Sequence, residues 1–252
     1  MPPITLHMVL AREIAERIKD ASLEAAPGPY LLGSTTPDIR VLTRQNRYET
    51  HFFDLGGPDH QDSVQGFLDA HGQLVEPDRL NPDTRAFVAG YISHLVMDQI
   101  YITRVYRPYF AKHDELGGSV RANLMDRLLQ FDLDRTYGDA PEVVENLVTA
   151  LSCTVESIEC GFVDHETLDR WRKVALDVAQ KDMDWDRMRS MVSNHLKYSG
   201  VKESEELGTF LDSIPELLDQ TIAYVTSEEI EGFLEVSGDE AAGAIERYLG
   251  CG

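Results

Sequence analysis

The run FVAGYISHLVMD, residues 87–98, decides how this chain is read. It is an apolar stretch that would be an ordinary buried helix but for His94 and Asp98. Four residues apart on a helix, the two side chains stack on one face about a turn apart. An imidazole and a carboxylate inside an apolar element are costly to bury unless each finds a partner. A metal ion is one such partner and a hydrogen-bonded polar pair is another.

Working outward, the helix that carries this pair starts after a turn from Pro77 to Pro82, with Asn81 or Asp83 as its cap. It ends or kinks at Pro108 in YITRVYRPYF. Upstream, Ile4, Met8, Val9, Ile14, Ile18 and Leu23 recur at roughly helical spacing across residues 4–25, with Thr5 as a plausible N-cap and His7 in the first turn. In LLGSTTPDIR, residues 31–40, Pro37 fixes its own φ and presents Asp38 rigidly in a turn. His51 sits in RYETHFFD between aromatics, which predicts a partly buried imidazole that needs a partner. A short helix is expected over 62–75. Downstream, helical patterns are expected over 119–133, 141–160, 165–196, 203–235 and 238–249, with Pro215 and Gly238 as interruptions. Strand-like alternation is nowhere sustained. The fold class expected is an all-α, multi-helix bundle forming a single domain over residues 1–252.

Net charge is −21 and unevenly spread. Residues 1–112 carry 11 Lys and Arg against 14 Asp and Glu, whereas residues 113–252 carry 12 against 30. An acidic surface of this kind argues against a broad electrostatic grip on nucleic acid or anionic membrane. No apolar run approaches the length of a membrane span, and the N-terminus lacks a secretion signal, so a cytoplasmic protein is expected. Cys153, Cys160 and Cys251 are odd in number and at no ligand spacing, as in a reducing compartment.

His7, Asp38, His51, His94 and Asp98 all fall in the first 98 residues. A set of imidazoles and carboxylates suits zinc first, then iron or manganese. His60, His71, His113, His165 and His195 stand in polar or loop-like contexts and read as surface residues.

The order and spacing of ETHFFD, FVAGYISHLVMD and GSTTPDIR resemble the zinc-dependent phospholipase C family, whose all-α fold is shared with the zinc-dependent single-strand nucleases. The resemblance covers roughly residues 5–132, leaving 133–252 as an acidic helical extension. It implies a metal held by Asp38, His51, His94 and Asp98. It also implies a second metal bridged by Asp98 and bound by His7 and the processed amino group. Met1 lies only six residues before His7, so one or two ions are expected. A third metal site of the family is lost here. Arg104, Gly118 and Ala122 stand where its two histidines and glutamate would be.

Arg104 offers a fixed cation and phosphate clamp in place of that metal, with Arg40, Arg44, Arg47 and Arg107 nearby in sequence. The function implied is hydrolysis of a phosphoester, either a phospholipid headgroup or a small phosphoester, with Asp38 as ligand and general base and Arg104 facing the phosphate. The alternative is a non-catalytic protein of the same fold, stapled by its metal.

Overall fold

Proline, glycine and Asx residues punctuate this chain into short and long helices. The computed structural model describes residues 2–58, 61–181, 184–198 and 212–250, and no strand occurs among them. The helices are α1 (Ile4–Ile18), α2 (Ala21–Ala25), α3 (Pro27–Gly33), α4 (Arg40–Thr43), α5 (Arg47–His51), α6 (Ser63–Ala70), α7 (Pro82–Tyr101), α8 (Ser119–Gly138), α9 (Pro141–Leu151), α10 (His165–Gln180), α11 (Trp185–Tyr198), α12 (Ile214–Val225) and α13 (Ser227–Leu249). The architecture is all-α, as the periodicity predicts. No helix among the described residues is long and apolar enough to cross a membrane.

Helix α7 is the axis. Pro82 opens it, and Asn81 caps it by accepting from the Thr84 N–H. It is buried on nearly every side, so its apolar residues form no single stripe. α3, α13, α1, α2 and α6 pack around it. The α3–α7 crossing is unusually close because glycines meet there. A Cβ on Gly90 would stand 1.9 Å from the Tyr30 carbonyl oxygen, and one on Gly33 would stand 2.0 Å from the Phe87 carbonyl oxygen. The same core continues from Met8 in α1 through Trp171 in α10 to Leu249 in α13.

Several expectations are corrected. Thr5 does not cap α1: Pro3 holds the cap position, and the Leu6 N–H donates instead to Asp134 Oδ1 of α8 at 2.8 Å. The central helix does not end at Pro108 but continues through it as a π-helix, Ile102–Phe110. The wider winding closes with the Ala111 N–H on the Tyr106 carbonyl at 2.9 Å and relieves the i−4 clash that proline causes in an α-turn. The pattern expected over 62–75 is α6 followed by a 3₁₀ turn, Gly72–Leu74. That over 141–160 stops at Leu151, and that over 165–196 is split between α10 and α11.

Gly238 does not interrupt a helix either. It lies inside α13, buried beside Ser237 and Ala241, where a small residue lets Arg17 of α1 approach. The break comes instead at Thr226, in positive φ. Residues 203–211 and Cys251 lie outside the described residues, while Cys153 and Cys160 are free thiols.

Candidate metal centre

Each candidate donor is placed by a different local device. His94 and Asp98 share a face of α7, as their spacing requires. His51 ends α5, a helix set by a capping box: Asn46 accepts from the Tyr48 N–H at 2.9 Å, and Glu49 accepts from the Asn46 N–H at 3.1 Å. The Tyr91 hydroxyl then ties α5 to α7 by donating to the Thr50 carbonyl at 2.5 Å. Asp38 lies in a 3₁₀ turn, Thr36–Ile39. This turn is held by threonine hydroxyls on the Leu32 carbonyl and by the Trp171 indole N–H on Thr35 Oγ1 at 3.0 Å. His7 is positioned by the Asp134 contact at the head of α1.

All five converge. His51 Nε2 lies 3.3 Å from His94 Nε2, 3.5 Å from Asp38 Oδ1 and 3.3 Å from Asp98 Oδ2. His94 Nε2 lies 3.9 Å from Asp98 Oδ2, and His7 Nε2 lies 3.5 Å from Asp98 Oδ1. The His7 and His94 rings stack, with centroids 3.7 Å apart and planes 11° from parallel. Two sets of three donor atoms lie within reach of one ion: His7, His94 and Asp98, and Asp38, His51 and His94.

The hydrogen bonds around these rings assign their tautomers. His94 Nδ1 donates to the Ser34 carbonyl at 2.8 Å, leaving Nε2 an unprotonated lone pair. The Thr50 hydroxyl donates to the Arg47 carbonyl at 3.2 Å, so His51 Nδ1 donates to Thr50 Oγ1 at 2.8 Å and its Nε2 is also a lone pair. Two imidazole lone pairs facing each other at 3.3 Å, beside two carboxylates, repel unless a cation lies among them. Both His7 nitrogens and Asp98 Oδ1 are buried without a hydrogen-bond partner, since 3.5 Å is too long for a charge-assisted bond. Orphaned buried atoms of this chemistry fit a divalent cation.

The electrostatics agree. Burial disfavours the charged carboxylates, yet the neighbouring imidazoles outweigh it and hold Asp38 down at about 2. For Asp98 the nearby histidines and Arg47 together do the same, keeping its carboxyl well below the usual range. Burial, reinforced by His7, pushes His94 down to about 3, so it stays neutral and able to donate its lone pair. His7, His51, His94 and Asp98 are all essentially buried, and Asp38 is the most exposed donor, with 17% of its side chain accessible.

Arg47 is the residue that sequence reasoning under-weighted. Its Nη2 donates to Asp98 Oδ2 at 2.6 Å and its Nη1 to the Phe53 carbonyl at 3.0 Å. The available signal was its place four residues before His51 in the same short helix. Arg104, by contrast, is exposed on the π-helix, and no contact joins it to the five donors among the described residues. Arg107 braces the loop instead, donating to the carbonyls of Leu55 and Gly57. His71 is not a surface residue: it is half-buried, stacked on Phe162 at 4.5 Å. His113 is half-buried, and His165 is exposed with Nε2 near the Ile158 carbonyl. His60 and the His195 side chain lie outside the described residues.

Residues 6–101 match the family model described as zinc dependent phospholipase C. That match makes this segment similar to the zinc-dependent phospholipase C family. No curated protein and no solved structure matches the chain. The matched segment contains all five donors, so the family match and the cluster together support a metal-dependent phospholipase-like function and a zinc-type centre. It is shorter than the expected 5–132 and ends before Arg104, Gly118 and Ala122. In this phospholipase C-like fold Gly118 holds a positive φ ahead of α8, and Ala122 is buried within it.

Proposed function

We propose that the chain is a metal-dependent hydrolase of phosphoesters, acting on a phospholipid headgroup or a small soluble phosphoester. The observation that carries this reading is the convergence of unpartnered lone pairs from His7, His51 and His94 on the Asp98 and Asp38 carboxylates. One cation would be held by His94 with either His7 and Asp98 or Asp38 and His51, the remaining donors completing its surroundings. A divalent cation bound there lowers the pKa of water and stabilises charge on phosphoryl oxygens.

The protein's own groups set the rest. Asp38, ionised and at the least buried edge, is placed to accept a proton from the nucleophile. Arg47, partly accessible and bonded to Asp98, supplies the cation that orients an anionic phosphate, the role expected of Arg104. The acidic C-terminal helices belong to the same unit on this reading, because α13 packs directly on α7 and α1.

A second reading, a metal staple without catalysis, is favoured by the near-complete burial of His7, His94 and Asp98. It also draws on the position of a groove away from the donors. That groove, about 670 Å³, runs between α6, α7 and α13 and contains none of the five donors. The test is a phosphoester screen, covering phosphatidylcholine and chromogenic mono- and diesters, with added zinc, manganese or iron. Hydrolysis that disappears in His94→Ala and Asp98→Ala supports the enzyme. Bound metal with no hydrolysis of any ester leaves the staple.

A further inference from the structure

We infer that the centre holds one metal ion, and that the Arg47 guanidinium serves as its built-in second cation against Asp98. This rests on the metal-centre reading above and concerns how that centre is balanced. Both donor triads need His94 Nε2. That nitrogen is the only one His94 has to give, because Nδ1 is committed to the Ser34 carbonyl. The triads are therefore alternatives around one ion rather than two sites.

Asp98 is divided in the same way. Its Oδ2 carries the 2.6 Å bond to Arg47, while Oδ1 is buried, unpartnered and 3.5 Å from His7 Nε2. A carboxylate bridging two ions through its two oxygens would have to give up the Arg47 bond. Charge points the same way. Two dications and Arg47 would set five positive charges against the two carboxylates in a buried site. One dication with Arg47 leaves a single positive excess, suited to an anionic phosphate. Without any metal, Arg47 is what keeps the buried Asp98 charge compensated.

Arg47 thus stabilises the metal-free protein while competing with the ion for Asp98, and these two effects have opposite signs. The experiment uses the full chain, stripped by chelator and reloaded with zinc alone. Elemental analysis of the wild type should give one equivalent. Arg47→Gln should melt lower than wild type without metal yet bind zinc about tenfold more tightly, since a repelling charge has gone. Arg47→Lys, which keeps the charge, should sit near wild type in both.

Two equivalents in the wild type would overturn the inference even if Arg47→Gln fails to fold. So would zinc binding that is unchanged or weaker in a folded Arg47→Gln. No zinc uptake by the wild type would remove the metal-centre reading itself, and this inference with it.

Discussion

The His94 Nδ1 proton rests on the Ser34 carbonyl at 2.8 Å, across a helix crossing that exists because Gly33 and Gly90 have no side chains. Gly90 precedes His94 by one turn on the same helix. The residue that lets α3 approach is therefore also what brings a carbonyl within reach of the imidazole. Once Nδ1 is occupied, Nε2 is aimed at the other donors. Backbone packing fixes the tautomer, and the tautomer leaves Nε2 with a lone pair to offer.

Gly90→Ala should for this reason disable both fold and centre. Its new methyl would stand 1.9 Å from the Tyr30 oxygen and 2.9 Å from the Ser34 nitrogen, both backbone atoms that cannot step aside. The expected loss is at least about 3 kcal/mol of stability. Thermal unfolding by circular dichroism would show it, and zinc content would fall in parallel. A Gly90→Ala protein that melts like wild type and keeps its zinc would mean the crossing is looser than described.

His7 tests the unpartnered atoms. Both ring nitrogens are buried without partners, a cost of about 1–3 kcal/mol without a cation. His7→Leu should accordingly melt at or above the wild type in chelator, yet gain less on adding zinc. For the wild type, zinc at about a thousand times its dissociation constant should add about 4 kcal/mol. Differential scanning calorimetry with and without zinc measures both quantities. An equal zinc gain in the two proteins would remove His7 from the centre.

Asp38 separates holding the ion from using it. In Asp38→Asn an oxygen donor remains but the negative charge and the proton acceptor are gone. Zinc should stay bound while phosphoester hydrolysis falls about 100-fold. Full activity in this variant would assign Asp38 to coordination alone.

Much of this arrangement was legible in the sequence where the relation is local. His94 and Asp98 could be paired because helical spacing puts residues four apart on one face. Asn81, one of the two caps expected, marked the start of their helix through ordinary capping chemistry. Asp38, His51 and His7 could be joined to them only through the resemblance, since no local rule says that a turn and two other helices meet on α7. The cation paired with Asp98 was out of reach of the sequence for the same reason. Arg104 follows Asp98 by six residues in sequence but is exposed, whereas Arg47 reaches Asp98 from 51 residues away. Thr5 looked like a cap because a hydroxyl at a helix start often is one. The residue that captures a free N–H of α1 is Asp134, 128 positions downstream.

That long-range cap gives a pH prediction read on a carboxylate outside the donor set. Burial pushes the Asp134 carboxyl up to about 7, against the lowering effect of the Leu6 N–H. In the unfolded chain an aspartate titrates near about 3.9. Between these values the folded state binds the extra proton, so this group's contribution to stability falls as pH rises from about 4 to 7 and is flat above. Asp134→Asn keeps an oxygen to accept from Leu6 and has no charge to bury. It should match the wild type near pH 4 and exceed it by about 4 kcal/mol at pH 8. Chemical denaturation of both proteins across this range, with chelator present, isolates the difference. A variant that is less stable at pH 8 would show that the carboxylate form, bonded to the head of α1, is the one the fold prefers.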